Sequence, residues 1–168
     1  MEVSRIRALR GPNLWSHHTA VEAIVRCTPE ELSIKDLPEF EARLRALFPE
    51  IGPLQATGHD EAIPLARVFE LAALALQAQA GCPVTFSRTT PTLEAGIYQV
   101  VVEYSEEEVG RLALKLSEQL CAAALQAHSF DLPAALHELR ELDEDLRLGP
   151  STGSIVYAAV ARNIPYRR

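Results

Sequence analysis

The chain has 168 residues, of which 48% are hydrophobic and 23% are charged, and its formal net charge is −7. These values are typical of one globular domain with its own core, and they exclude a disordered tail, a collagen-like repeat and a coiled coil. No apolar run reaches the roughly 18 residues that a membrane span needs. The first residues show no signal-peptide pattern, so we expect a cytoplasmic protein that binds no membrane.

The N-terminal part of the sequence predicts two strands joined by a turn. Residues 3–9 and 20–27 are short, rich in Val and Ile and interleaved with charges, which favours strands of a half-exposed sheet. Gly11, Pro12 and Asn13 lie between them and are typical of a turn.

The strongest strand pattern is at residues 97–104, where Tyr98 and Val100 begin one face and Ile97 begins the other. Just before it, residues 83–86 favour a further short strand. Residues 87–95 are polar and are interpreted as a loop.

Five helices are predicted from apolar spacing, caps and breakers. The first begins near Asp36, which can cap it, and ends at Pro49. The second runs from about residue 60 to residue 80, where Gly81 closes it. Its many alanines make it thin, so other elements can approach it closely.

The three remaining helices follow the strongest strand. Ser105 and Glu108 have the spacing of a capping box and open the third helix. Asp131 opens the fourth. Gly149 precedes the fifth, which residues 163–165 stop. Strands and helices alternate irregularly, which predicts an α+β fold with a small mixed, partly antiparallel sheet and about five helices packed on it, in a single domain.

The residue pattern shows no metal site. His17 and His18 are adjacent, while His128 and His137 lie on different predicted elements, so none has the spacing of a zinc site.

The cysteines and the charge balance exclude further classes. Cys27, Cys82 and Cys121 follow no CxxC pattern, and Cys82 and Cys121, which lie among apolar residues, are interpreted as small buried hydrophobes. The 16 basic residues are outnumbered by 23 acidic ones, which disfavours a nucleic-acid partner. No glycine-rich phosphate motif is present.

Two further segments each leave two interpretations open. Residues 149–154 (GPSTGS) at a helix start are either an ordinary capped terminus or a site for a phosphate or carboxylate. The acidic residues of 138–145 are either a solvated helix face or a surface that attracts guanidinium groups.

Four segments in order resemble the cyanophycin synthetases, and their details are most similar to the proteobacterial enzymes. They are residues 9–16 (LRGPNLWS), 80–84 (AGCPV), 96–104 (GIYQVVVEY) and 148–152 (LGPST). The resemblance covers essentially all of residues 1–168 and implies the N-terminal domain of the family.

In that family an ATP-grasp domain and a Mur-ligase-like domain follow, and they use ATP and Mg to add Asp to a poly-Asp backbone and Arg to each β-carboxyl. The resemblance therefore implies a truncated segment with neither ligase site and no cofactor of its own. It also implies three partners: the growing cyanophycin polymer, the two later domains, and further copies of the chain in a homo-oligomer.

Some family members also cut the polymer with an H-x-x-E-H zinc motif on the alanine-rich helix. Alignment on residues 80–81 places this motif at residues 67–71, where only Glu70 is retained. Arg67 and Leu71 replace the two histidines, and neither can ligate zinc. We therefore expect no metal and no cleavage. Arg67 beside Glu70 then forms either a charged binding pocket or an exposed ion pair.

Three functions follow from the resemblance. The first is a module that docks the polymer without catalysis. The second is a residual hydrolase that uses Glu70 with another ligand such as His59, and the third is a structural or oligomerisation domain. The residues expected to bind polymer, with none expected to be catalytic, are Arg10, Asn13, Trp15, Arg67, Glu70 and Arg88.

Overall fold

A computed structural model describes residues 1–54, 62–147, 149–162 and 164. It contains four strands and five α-helices over those residues. In chain order they are β1 (Glu2–Leu9), β2 (Ala20–Arg26), α1 (Phe40–Leu47), α2 (Leu65–Ala80), β3 (Ser87–Pro91), β4 (Ile97–Glu103), α3 (Glu107–Gln126), α4 (Leu132–Leu146) and α5 (Pro150–Ala161).

The strands form one sheet in the order β1-β2-β4-β3, and all three neighbouring pairs are antiparallel. The predicted α+β class is confirmed, but the expectation of mixed pairing is wrong. Strands β2 and β3 run in the same direction, yet β4 lies between them and is antiparallel to both. The long connection through α1 and α2 therefore creates no parallel pair.

The core lies between the sheet and helices α2 and α3, which pack against each other and contact the strands. The predicted alternation in the strongest strand is confirmed, since Val100 and Val102 share the buried face with Val21 and Ala23 of β2. These side chains are 0% exposed. We call the opposite side of the sheet, away from α2 and α3, the outer face.

Strand β3 corrects the prediction for residues 83–95. The strand expected at 83–86 lies at Ser87–Pro91, inside the segment interpreted as a polar loop. Its register is fixed by β4, with Thr89 opposite Val100. Strand formation here depends on pairing with a distant, apolar strand, and threonine suits that environment well.

The starts of the first two helices differ from the prediction. Asp36 ends a short 3₁₀ turn, Ile34–Asp36, in which Ser33 caps the backbone N–H of Lys35. Helix α1 begins only at Phe40. Helix α2 begins at Leu65, while the part of its predicted start at residues 60–61 falls outside the described residues.

The predicted capping box of α3 is also wrong. Glu106 occupies the N-cap, and the Ser105 hydroxyl donates instead to Asp143 of α4, at 2.9 Å. By contrast, Asp131 caps α4 as predicted, because its carboxylate accepts from the backbone N–H of Ala134 at 3.0 Å. Asp143 is buried, which is an exception to the solvated face predicted for residues 138–145.

Cys82 and Cys121 are buried, as the sequence predicts, and Cys27 is buried as well. Burial raises the pKa of the Cys27 and Cys82 thiols, and it raises the pKa of Cys121 to about 12. None of the described helices combines the length and the apolarity needed to cross a membrane. The side chains of residues 150–153, which bear on the predicted anion site, are not among those described.

Gly110 of α3 packs closely against Tyr104, the residue that follows β4. A Cβ at this position would lie 2.7 Å from the Cβ of Tyr104. We expect Gly110→Ala to lower the free energy of unfolding by about 1–2 kcal/mol, since overpacking outweighs the gain in helix propensity. Urea unfolding measures this loss. Gln119→Ala, on an exposed part of the same helix, is the control and should change stability by less than about 0.5 kcal/mol.

Candidate functional site

A buried carboxylate lies where helix α2 packs on strand β3. Glu70 is 0% exposed, and it accepts hydrogen bonds from the Arg67 guanidinium and from the Thr89 hydroxyl. We call these three residues the Glu70 cluster. Glu70 faces the sheet because it lies one helical turn from the buried residues Ala66 and Ala73.

The Glu70 cluster joins the core to the surface. An ionised carboxylate in an apolar setting is costly unless it is paired and hydrogen-bonded, and Glu70 has both kinds of partner. The Arg67 side chain remains 39% exposed while Glu70 is fully covered. The interpretation of this pair as an exposed ion pair is therefore wrong for its acidic member.

The positions that correspond to the zinc motif do not offer a metal-binding donor set. Arg67 is cationic and Leu71 is a half-buried hydrocarbon, so neither can ligate a metal. Both partners of Glu70 are hydrogen-bond donors that already occupy its oxygens. Within the residues that the structure describes, no three His, Cys, Asp or Glu side chains are grouped so as to hold a metal ion. His59 falls outside those residues.

Trp15 and Arg88 meet although 73 positions separate them along the chain. The Arg88 guanidinium carbon lies 5.6 Å from the centre of the Trp15 ring, within the range of a cation–π interaction. Arg88 pairs with Val101 in the sheet and is exposed, whereas Trp15 in the β1–β2 loop is half-buried. The loop therefore contacts Arg88 on the outer face.

Asn13 organises this loop. Its side-chain amide donates to the carbonyls of Gly11 and His18, and its oxygen accepts from the backbone N–H groups of Trp15 and Ser16, all within 2.9–3.1 Å. The side chain is thus committed to the turn, which positions Trp15. A direct contact from Asn13 to a polymer stays a prediction.

Arg10 forms an ion pair with Glu107 at the start of α3, a contact that includes none of the other predicted site residues. Its Nε donates to the Glu107 carboxylate at 2.9 Å, and Arg111 contacts the same carboxylate. A hydrogen bond from Arg10 and, to a smaller extent, one from Arg111 lower the pKa of Glu107 below its usual range. The described geometry leaves the Arg10 side chain 79% exposed.

The sequence did not identify two buried carboxylates on the outer face. Glu22 is 4% exposed and accepts from Arg7 and Gln99 on the neighbouring strands. Glu103 is 5% exposed and accepts from the backbone N–H groups that lead into β3, at 2.8 Å each. The alternation of side chains in β2 and β4 could have indicated that these acids face away from the core. Their hydrogen-bond partners depend on the register between strands, which the sequence does not give.

Replacement of Glu70 tests whether the Glu70 cluster stabilises the fold. Glu70→Gln puts an amide N–H₂ against two donors in a buried place, so we expect the free energy of unfolding to fall by about 2–4 kcal/mol. Glu41→Gln is the matched control, because Glu41 also pairs with an arginine on a helix but is half-exposed. It should cost less than about 1 kcal/mol. Equal midpoints for the two variants in urea would contradict a buried role.

Comparisons with known proteins agree on one family. Residues 23–126 match the sequence model described as the cyanophycin synthase-like N-terminal domain. Over 99% of this chain, the cyanophycin synthetases of Nostoc sp. and Trichormus variabilis are each 35% identical, and that of Crocosphaera subtropica is 33% identical. The chain spans about a fifth of the length of these relatives, 20%, 20% and 21% respectively.

Proposed function

Because the chain belongs to the cyanophycin synthase-like N-terminal domain family, we propose that it binds the cyanophycin polymer and does not cut it. Each repeat of this polymer carries one Arg guanidinium and one free carboxylate on a poly-Asp backbone. A binding surface for it needs arginines that can reach a carboxylate while they are held in place. In a longer synthetase, such a domain would keep chain ends near the ligase sites, which hold ATP and Mg, by raising their local concentration.

The main support is the geometry of the Glu70 cluster. Arg67 contacts Glu70 through one terminal nitrogen, Nη1, and its side chain is partly open to solvent. A guanidinium has five N–H donors in a planar fork that matches a carboxylate. Glu70 therefore holds Arg67 in one orientation, and the remaining donors are available to a polymer carboxylate.

Arg88 supplies a second cation on the opposite side of the same strand. The ring of Trp15 orients the guanidinium without neutralising it, since a cation–π contact leaves the N–H edge available. Arg67 and Arg88 thus lie on either side of β3, where a chain that carries carboxylates can meet both. This arrangement suits binding at an acidic protein better than a diffuse basic patch would.

The same geometry argues against hydrolysis at Glu70. A carboxylate that activates water must reach that water within hydrogen-bond distance. Glu70 has no exposed surface, and both its partners are donors from the protein. We therefore propose that cleavage is absent.

Isothermal titration calorimetry of the chain with short β-Asp-Arg oligomers tests the docking function. We expect saturable binding that weakens with added salt, because exposed charges are screened. Arg88→Gln should weaken binding by about tenfold, the value of one charge-assisted hydrogen bond. Arg140→Gln, at an exposed position on α4, is the control and should bind as the unchanged protein does.

Two results would contradict the proposed function. One is the absence of saturable binding at millimolar oligomer. The other is the release of new chain ends when the protein is incubated with polymer and zinc, provided that Glu70→Gln abolishes the release.

A further inference from the structure

Strand β3 forms one edge of the sheet, and among the described residues no strand pairs with its far side. The backbone hydrogen bonds at its two ends show which of its residues face β4 and which face outward. Glu103 N–H donates to the Phe86 carbonyl, and Thr92 N–H donates to the Ile97 carbonyl. Antiparallel pairs alternate, so the backbone groups of Arg88 and Thr90 also face β4.

The residues between them face the other way. The backbone N–H and C=O groups of Ser87 and Thr89 point away from β4, outward from the edge of the sheet. The carbonyl of Pro91 points the same way. Proline at the last position fits this geometry, since the missing N–H is not required by β4. The edge therefore offers a short ladder of donors and acceptors.

The opposite edge of the sheet is not equivalent. The register of β1 shifts between Ser4 and Arg7, and Arg5 within this bulge has a φ of +50°. A bulge of this kind twists an edge and interrupts the row of backbone groups that another strand would need. Regular pairing is therefore possible at β3 and obstructed at β1.

The side chains of β3 flank its edge with cations on both faces. Arg88 lies on the outer face, and Thr89 on the helix face brings in Arg67 through the Glu70 cluster. In a strand, successive substituents point to opposite faces. The arms of a poly-Asp backbone paired with this edge would alternate between the side of Arg88 and the side of Arg67.

We propose that the polymer binds by strand addition: its poly-Asp backbone pairs with the edge of β3 as a fifth strand, and its arms place their carboxylates toward Arg88 and Arg67. This inference rests on the proposed function and adds the mode of binding. Main-chain hydrogen bonds then supply an affinity that is the same whichever repeats of the polymer occupy the edge. The polymer could therefore shift along the edge by two repeats at a time, because such a shift keeps the same backbone groups and the same alternation of arms against β3.

A second copy of this chain fits the edge less well than the polymer does. An antiparallel pair of β3 strands centred on Thr89 places Pro91 opposite Ser87, so a backbone bond is lost at each end. It also brings the two copies of Arg88 to the same side of a narrow interface, where like charges repel. The polymer has an N–H at every backbone residue, and each of its arms carries a carboxylate as well as a guanidinium.

Backbone N-methylation of the ligand tests the pairing. The probe is a β-Asp-Arg oligomer at least as long as the five residues of β3, compared with the same oligomer methylated at every backbone nitrogen. Both carry the same charges, so charge attraction alone predicts equal affinity. We expect methylation to weaken binding by about tenfold or more through the loss of several hydrogen bonds.

The outcomes separate the two inferences. Equal binding of both oligomers overturns strand addition and leaves the docking function intact. Failure of both oligomers to bind overturns the docking function and strand addition with it.

A substitution in the protein gives an independent test. Ser87→Pro removes one outward N–H and no bond to β4, so we expect affinity for the unmethylated oligomer to fall about threefold to tenfold. Ser87→Ala keeps the N–H and should bind normally. If Ser87→Pro instead converts a dimer to a monomer in sedimentation, with affinity for the oligomer unchanged, the edge is occupied by a second copy and strand addition is wrong.

Discussion

The buried carboxylate of Glu70 is the constraint on which the candidate site depends. A charge in the core must be paired, and its two partners come from different elements, Arg67 on the same helix and Thr89 on the edge strand. The pairing fixes the position of α2 over β3. It also ends at the surface, because Arg67 extends from the core into solvent. One requirement of stability thus sets the orientation of a surface cation.

The buried acids of the outer face are also paired. Glu22 and Glu103 are nearly covered, and each is satisfied by groups from neighbouring strands or from the start of β3. In an acidic chain, carboxylates that are paired within the protein repel the carboxylates of a zwitterionic partner less than free ones would. The negative balance of the sequence is therefore compatible with a surface on which selected arginines remain available.

Local sequence signals predicted the elements whose determinants are local. Asp131 caps α4 through a bond three residues away, and Gly81 ends α2 with a φ of +98°. Predictions failed where a distant residue decided the outcome. The Ser105 hydroxyl is taken by Asp143, 38 residues away, and β3 is a strand because it pairs with β4. The three-residue spacing of Arg67 and Glu70 is the same in an exposed and in a buried ion pair. The burial of Glu70 could therefore not be predicted without knowing how α2 packs.

The contact between Trp15 and Arg88 has a practical consequence, because the chain contains a single tryptophan. Its indole ring is polarised by the guanidinium above it. A carboxylate that binds the N–H edge of Arg88 changes the electric field at the indole, and we expect the emission spectrum of Trp15 to change with it. The protein thus carries an intrinsic fluorophore beside the proposed docking edge, and occupancy there is readable without a label.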